Sequence, residues 1–509
     1  MNTTLPSSSR RRDGPPLPAR AKRWLYLIHR WAGIVLCLFF AMWFISGVVM
    51  MYVGYPKLTP QERLAHLPAL DSAAITITPA QALAAAGVQD SAGMILAAAR
   101  GGAPVYLVPG EARRAPKVVD AASGVLLPSA DAATALATAR AWSGGQYTAR
   151  YQGKVEEDAY THSRALGPDR PLHRVDLDDP AQTRLYISSA TGMVVLDATR
   201  AERVWNYAGA WIHWLYPFRG NALDGWWHDI VVWLSVAGVL LALTGTVVGI
   251  LRWRFSRPYA SGSRSPYREN MMRWHHLSGL LFAAITITWI FSGLMSMNPW
   301  KVFASGAPPL AQAAYAGTPG TTLAPPRDLI TALPAPPREL RWARADGHDV
   351  VLARSAAGAP GVLSARDARP HAYDPAALRA AAARLVPGAR LARIETLDAY
   401  DFYYYARDEH AMLGHVEKPL PAWRLIYDDP HSTWVYLDPR TGQILSRQDS
   451  GSRASRWLFA FLHSWDWTGL LSRRPLWDAL LVFLSLGGAA LSLTGAVIGW
   501  RRLGRKLRA

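Results

Sequence analysis

Four apolar runs, each long enough to cross a lipid bilayer, limit what this chain of 509 residues can fold into. About 20 residues of helix span the hydrocarbon core, and the runs lie near 31–53, 229–251, 277–298 and 479–500. Inside a bilayer the backbone must satisfy its own hydrogen bonds, so each run is expected as a helix. Arg10, Arg11 and Arg12 precede the first run as they would a cleaved signal. That run is too long for one, and Met50-Met51-Tyr52-Val53 offers no small-residue cleavage site, so it is expected to stay.

The formal charge of +18 is concentrated: residues 1–23, 252–273 and 500–509 together hold 17 Lys or Arg and two acids. A four-span chain places these three segments on one side, and the positive-inside rule makes that side the cytoplasm of a bacterial inner membrane. The basicity then reports topology, not a nucleic-acid partner. Cys37 is the only cysteine, which excludes an internal disulfide, a covalent haem motif and a cysteine-ligated cluster. Any metal centre would have to use His, Met or carboxylates.

The expected order is a basic cytoplasmic N-terminus (1–23), a first span (24–54), an outside domain (55–200), a His-bearing interfacial helix (201–225) and a second span (226–251). A cytoplasmic loop (252–273), a third span (274–298), a second outside domain (299–455), a His-bearing segment (456–475), a fourth span (476–500) and a basic tail (501–509) follow. A stretch rich in Pro, Ala and Gly at 304–337 reads as a linker.

Internal repetition is the second constraint. A shift of 246 lays His29, Gly33, Trp43, Ser46 and Gly47 on His275, Gly279, Trp289, Ser292 and Gly293. A shift of 250 lays Asp178-Asp179-Pro180, Thr183, Tyr186 and Thr191-Gly192 on Asp428-Asp429-Pro430, Thr433, Tyr436 and Thr441-Gly442. The same shift carries His213, Trp227, Thr244-Gly245 and Gly249 onto His463, Trp477, Thr494-Gly495 and Gly499. Both halves start on the same side, so they are expected as parallel repeats about an axis along the membrane normal.

Within the outside domains, Arg184-Leu185-Tyr186-Ile187, the turn Thr191-Gly192 and Met193-Val194-Val195 predict a hairpin, with a partner at Trp434-Val435-Tyr436-Leu437. Alanine-rich stretches at 79–87, 130–142 and 375–386 predict helices, which gives α+β domains.

In this order, His29-Arg30-Trp31-Ala32-Gly33, the strand–turn pattern closing each outside domain, and Ile212-His213 followed by Gly225 and Thr244-Gly245 carry a family likeness. The chain resembles the PepSY-associated transmembrane family, also described as iron-regulated membrane proteins, which includes bacterial ferrisiderophore reductases. The resemblance covers nearly the whole chain and implies two PepSY-like periplasmic domains and a ferric siderophore as substrate. Trp274-His275-His276 departs from the pattern by carrying two adjacent histidines.

An ionisable residue at a membrane boundary is costly enough to be treated as functional. By topology His29 and His275 sit at the cytoplasmic ends of the first and third spans, while His213 and His463 lie on the outer side before the second and fourth. Histidines sharing one iron must face each other at equal depth, and the repeat supplies that arrangement twice. Two non-covalent b-type haems are therefore expected, one held by His29 with His275 or His276, the other by His213 with His463. His276 and His228 have no repeat partners and rank second. The same residues also serve as interfacial anchors in a protein without haem. Gly33, Gly279, Gly245 and Gly495 would let helices or a flat macrocycle approach closely.

Other candidates have plainer explanations. Asp401-Phe402-Tyr403-Tyr404-Tyr405 reads as a buried strand, Glu156-Glu157-Asp158 as a solvated charge run, and His410, His415 and His431 lack metal-site spacing. Arg170, Arg174 and Arg424 would attract an anionic chelate.

No dinucleotide or phosphate-loop motif is present, and cytoplasmic segments of this length hold no flavin domain, so the electron donor would be external, a quinol or a separate reductase. The sequence names no catalytic acid or base. Two other classes compete: a non-redox membrane protein whose PepSY-like domains bind a partner, and a transporter of iron chelates. The repeat favours a transporter, whereas the absence of a mid-span carboxylate, Lys or broken-helix pattern weighs against it.

Overall fold

The computed structural model describes residues 18–110, 114–405, 407 and 418–508. They fall into two units. One gathers the described residues up to Ile45 with His228–Met297 and those from Pro475 onward; the other comprises Ser46–Trp227 and Asn298–Arg474.

The helical unit is built on α1 (Ala19–Met50), α2 (Trp227–Arg252), α3 (Asn270–Leu281), α4 (Ala283–Ser296) and α5 (Leu476–Leu507). Among the described residues, the helices carrying the first, second and fourth apolar runs are long and apolar enough to span a membrane by themselves. The third run is not the continuous helix expected, because α3 and α4 meet at an angle of 69°. The break falls at Phe282, four residues after the pair Ser278-Gly279, a combination that commonly bends helices. Ser278 Oγ donates to the Trp274 carbonyl at 2.7 Å, and the Phe282 ring occupies space at Gly487 of α5 where a Cβ would stand 2.2 Å from it. Leu36, Phe40, Phe44, Leu241, Ile290 and Ala489 pack together inside this unit, and its outer faces keep large apolar side chains such as Leu38, Leu240 and Phe483 exposed. Such a surface suits lipid, where apolar exposure carries no penalty.

The other unit holds fourteen strands among the described residues, arranged in three antiparallel sheets. The first half supplies β1 (Ile95–Arg100), β2 (Ala103–Val108), β3 (Lys117–Asp120), β4 (Ala149–Val155), β5 (Leu172–Leu177), β6 (Arg184–Ser188) and β7 (Val194–Ala198). The second supplies β8 (Glu339–Ala345), β9 (His348–Arg354), β10 (Gly361–Ser364), β11 (Leu391–Leu397), β12 (Ala422–Tyr427), β13 (Trp434–Leu437) and β14 (Ile444–Gln448). Strands β4 to β7 form one meander and β11 to β14 another, while the third sheet runs β10-β9-β8-β1-β2-β3.

That third sheet joins the two outside halves. β1 pairs with β8 through Leu96 opposite Leu340, so strands from both halves close one sheet over one core. Fully buried Glu339 beside this seam takes Arg63 from the first half and Arg354 from its own. A three-stranded sheet alone leaves an open edge, and pairing the two edges removes both. The stretch 304–337 is no linker: Ala324, Leu329 and Ile330 are buried in the shared core.

The turns and helices are as the sequence predicts. Thr191-Gly192 and Thr441-Gly442 form tight turns with φ of +77° and +68° at the glycines, which are open to Gly at little cost. Asp179 accepts from the Thr183 amide and hydroxyl at 2.6 and 2.7 Å, and Asp429 does the same for Thr433 at 2.6 and 2.9 Å. The repeated Asp-Asp-Pro motif is thus turn chemistry. Helices occupy Pro79–Ala86, Ala132–Trp142 and Pro375–Ala382.

Candidate functional site: two histidine pairs

His29 on α1 and His275 on α3 stand with ring centroids 6.3 Å apart in the helical unit. His275 Nδ1 lies 3.1 Å from the Leu491 carbonyl and 3.3 Å from Thr494 Oγ1, both on α5. With Nδ1–H donating there, its Nε2 keeps a lone pair. His29 Nδ1 is buried beside the Leu241 carbonyl of α2, without a hydrogen bond of ordinary geometry. Leu241 and Leu491 are themselves repeat partners, so each ring meets the equivalent carbonyl of a neighbouring helix.

The glycines differ in what they do. A Cβ at Gly245 would stand 2.6 Å from His29 Cε1, and one at Gly495 would stand 2.5 Å from Cys37 Sγ and 3.1 Å from His275 Cε1. Gly33 and Gly279 meet nothing nearer than 3.7 and 3.4 Å. Only the Thr-Gly pair on α2 and its partner on α5 set the ring positions.

His213 and His463 form the second pair, also with centroids 6.3 Å apart. Each follows a π-helical turn, Tyr207–Trp211 or Arg456–Phe461, and precedes a residue in the left-handed region, Leu215 at φ +55° or Trp465 at φ +50°. The expected interfacial helix at 201–225 is therefore a short helix, a π-turn and a sharp reversal. π-turns concentrate at functional sites because they displace one side chain from regular spacing. Ser46 Oγ lies 2.9 Å from His213 Nδ1, and a Cβ at Gly47 would touch the same ring at 3.6 Å, which gives the Ser-Gly pair of the first span a role at that ring.

The second-choice histidines are engaged elsewhere. Buried His276 uses both nitrogens, Nδ1 with Ser265 Oγ at 2.8 Å and Nε2 with the Gly249 carbonyl at 2.9 Å. His228 is half exposed, with Asp229 at 3.3 Å on Nδ1 and the Met297 carbonyl at 3.1 Å on Nε2.

This geometry places the chain. Its sequence matches the pattern described as the PepSY-associated TM region over residues 26–502. The chain belongs to the PepSY-associated transmembrane family. No curated protein matches it.

The donor set fits one cofactor class. Among the described residues no three or more His, Cys, Asp or Glu gather to hold a metal ion. Two imidazoles facing one metal need two metal–nitrogen bonds of about 2 Å and two ring radii of roughly 1.1 Å, about 6.2 Å between centroids. Both pairs have that spacing. A porphyrin supplies the remaining four ligands itself, so two histidines suffice.

Charge clusters border the second pair, and they change several expectations. Glu157 is no solvated residue: it pairs with His162, with Arg170 at 2.9 Å and with Arg219 at 3.4 Å. Burial raises its carboxyl, but the His162 hydrogen bond and the neighbouring His162, Arg170 and Arg219 outweigh that and hold it below the ordinary range. Asp158 accepts from Tyr186 Oη at 2.8 Å. Arg424 is buried between Glu395 and Asp401 and lies over Trp434 and Tyr436, so neither it nor Arg170 is a free anion receptor. Arg174 reaches the Gln152 carbonyl at 3.5 Å. The segment Asp401-Phe402-Tyr403-Tyr404-Tyr405 is a turn, not a strand: Asp401 accepts from the amides of Tyr403 and Tyr404, and the Tyr404 ring stacks on Tyr436 at 5.0 Å. His410 and His415 lie outside the described residues, and His431 donates its backbone N–H to Asp429.

Sequence reasoning missed the arginine cluster at Arg407, Arg456 and Asp466. Its only trace was an ionic residue two turns before a repeated histidine.

Proposed function

We propose that this chain is an inner-membrane electron conduit with two b-type haems, reducing a ferric complex, a ferrisiderophore in particular, on the periplasmic side. The carrying observation is the matched 6.3 Å spacing of two repeat-related histidine pairs. His29 and His275 would hold one haem, His213 and His463 the other. Bound haem supplies reversible one-electron transfer between ferric and ferrous iron. The residues themselves fix ring orientation: the Leu491 carbonyl and Ser46 hydroxyl set which imidazole nitrogen is left for a metal, and Gly245 and Gly495 leave room for the rings.

The charge partition along the sequence supports cytoplasmic termini and four spans, the α3–α4 pair counting as one. The two halves share an element order, three strands, a helix and a four-stranded meander, which supports a pair of repeated PepSY-like domains facing the periplasm. Electrons would enter at the cytoplasmic face from a quinol or a separate reductase and leave for a chelate near His213 and His463. One electron converts Fe³⁺ to Fe²⁺, which oxygen-rich chelators hold less tightly.

The 69° break between α3 and α4 favours a second reading, a transporter of iron chelates, because transporters often bind at broken helices. No Asp, Glu or Lys occurs between Asn270 and Ser296 to bind a coupling ion, so we rank it below the conduit. The test is to reduce the protein anaerobically in membranes, add ferric siderophores, and follow haem reoxidation with Fe²⁺ capture by a chromogenic chelator. Stoichiometric reoxidation supports the reductase; haem that no ferric complex reoxidises removes it.

A further inference from the structure

Two arginines share a single carboxylate beside His463. Arg407 Nη2 donates to Asp466 Oδ2 at 2.6 Å and to Ser464 Oγ at 2.8 Å, while Arg456 Nη1 donates to Asp466 Oδ1 at 2.7 Å. All three are enclosed, with side-chain exposures of 7% for Arg407, 4% for Arg456 and 0% for Asp466. The Arg456 guanidinium is further held between the Phe402 and Tyr405 rings, at 4.2 and 4.3 Å, and donates Nε–H to the Phe402 carbonyl at 2.9 Å.

The cluster is short of acceptors. Among the described residues, Arg407 Nε and Nη1 and Arg456 Nη2 are buried with no hydrogen-bond partner. Among the described residues, two cations against one anion leave a positive charge away from water, and folded proteins rarely keep a buried charge or donor unmatched. A second anion, best a carboxylate that accepts from a guanidinium fork, would balance both the charge and the donors.

The position says which anion. Ser464 follows His463 directly, and Arg456, seven residues before His463, opens the π-turn that leads into it. The equivalent place in the first half is balanced in charge, although Arg170 Nε there is also buried without a partner among the described residues. The 250 shift lays Arg407 on Glu157, Arg456 on Asn206 and Asp466 on Tyr216. There the carboxylates of Glu157 and Asp224 face Arg170, Arg219 and His162. Among the described residues, the excess positive charge lies on the second-half side, where an anion carried to the His213–His463 pair would meet it.

We infer that Arg407 and Arg456 form a clamp for a carboxylate of the tetrapyrrole bound between His213 and His463, and so fix which way round it sits. This rests on the haem reading above and adds an orientation to it. A porphyrin carries two carboxylates on one edge, and the clamp takes one of them.

The test uses full-length protein stripped of haem, titrated with haem or with its dimethyl ester and read in the Soret band. The free acid fills two equivalents. With the ester, one equivalent weakens at least about tenfold, and the other, at His29 and His275, loads normally and reports that the protein is folded. In Arg407→Gln and Arg456→Gln the same equivalent weakens for the free acid and no longer discriminates against the ester. Asp408→Asn/Glu409→Gln keeps wild-type discrimination. Acid and ester loading alike in the wild type would overturn the clamp while leaving both haems in place. So would discrimination surviving in both arginine variants, or disappearing in Asp408→Asn/Glu409→Gln, which would give the clamp to the chain's own acids. A soluble tricarboxylate that quenches the cluster without displacing haem would assign it to substrate and overturn the clamp. Absence of any Soret band would overturn both this inference and the haem reading.

Discussion

The His29–His275 and His213–His463 pairs share a spacing but are held by different means. In the helical unit the rings are fixed by backbone: the Leu491 carbonyl, the Leu241 carbonyl, and two glycines that leave no room for a side chain. Charges are absent from these contacts, as the surroundings of an apolar helix bundle demand. The other pair follows irregular π-turns, has the Ser46 hydroxyl on His213, and is flanked in sequence by Arg219, a partner of Glu157, in one half and by Arg456 and Asp466, joined by Arg407, in the other. Position is therefore built into helix packing at one pair and into charge at the other. The first arrangement suits a fixed relay, and the second suits a centre whose potential and ligand orientation are tuned.

The largest expected effect separates the pairs outright. Replacing His29 or His275 with Ala should remove one of two haem equivalents, and replacing His213 or His463 the other, in the haem-to-protein ratio. Four variants that all keep two low-spin haems would dissolve the pairing. His276→Ala and His228→Ala should keep both, since their nitrogens are already engaged.

Packing comes next. Gly245→Val and Gly495→Val should cut loading at His29–His275 by at least about tenfold, since loss of ligand-orienting contacts costs that much. Gly33→Ala, with 3.7 Å of room, should not. Equal effects at all three would mean that the glycines serve general helix packing.

Ser46→Ala removes the partner of His213 Nδ1 and should weaken only the His213–His463 centre, by roughly 10- to 100-fold. A smaller effect concerns potential. The net positive arginine cluster favours the reduced, less positive haem, so this centre should titrate at a higher midpoint than the other, and Arg456→Gln should narrow the gap. Spectroelectrochemistry that finds the His29–His275 centre higher would reverse the proposed direction of electron flow.

The smallest effect lies in stability. Burial, then the charges of Glu62 and Glu202, push the Asp197 carboxyl up to about 7. The folded protein thus holds this proton where the unfolded chain, with an ordinary carboxyl near 4, has lost it. The contribution of Asp197 to stability should be fully present below about pH 4, decline as pH rises to about 7, and stay level above. Asp197→Asn should flatten that segment of a melting-temperature profile; an unchanged slope would clear Asp197. Its repeat counterpart is Arg447, so the second half should lack this dependence.

Much of this was legible in residue order. Helix length follows from apolar runs, and the repeat brought His29 to His275 and His213 to His463 because both halves thread alike. The glycine turns at Gly192 and Gly442 were readable because positive φ restricts residue choice. The shared six-stranded sheet was not, since nothing in β1 or β8 distinguishes an edge that meets solvent from one that meets the other half. The bend at Phe282 depends on a ring entering the niche at Gly487, a contact more than 200 residues away in sequence. Glu157 and Arg424 looked like surface charges because their partners are brought by other strands and loops.

The central claim is that this chain carries two bis-histidine haems. Purified in mild detergent, it should show a Soret band, a ratio of two haems per chain by pyridine haemochrome assay, and low-spin ferric signals from two centres in electron paramagnetic resonance. A chain purified from haem-replete cells that is folded and colourless, and that takes up no haem on titration, would contradict the account.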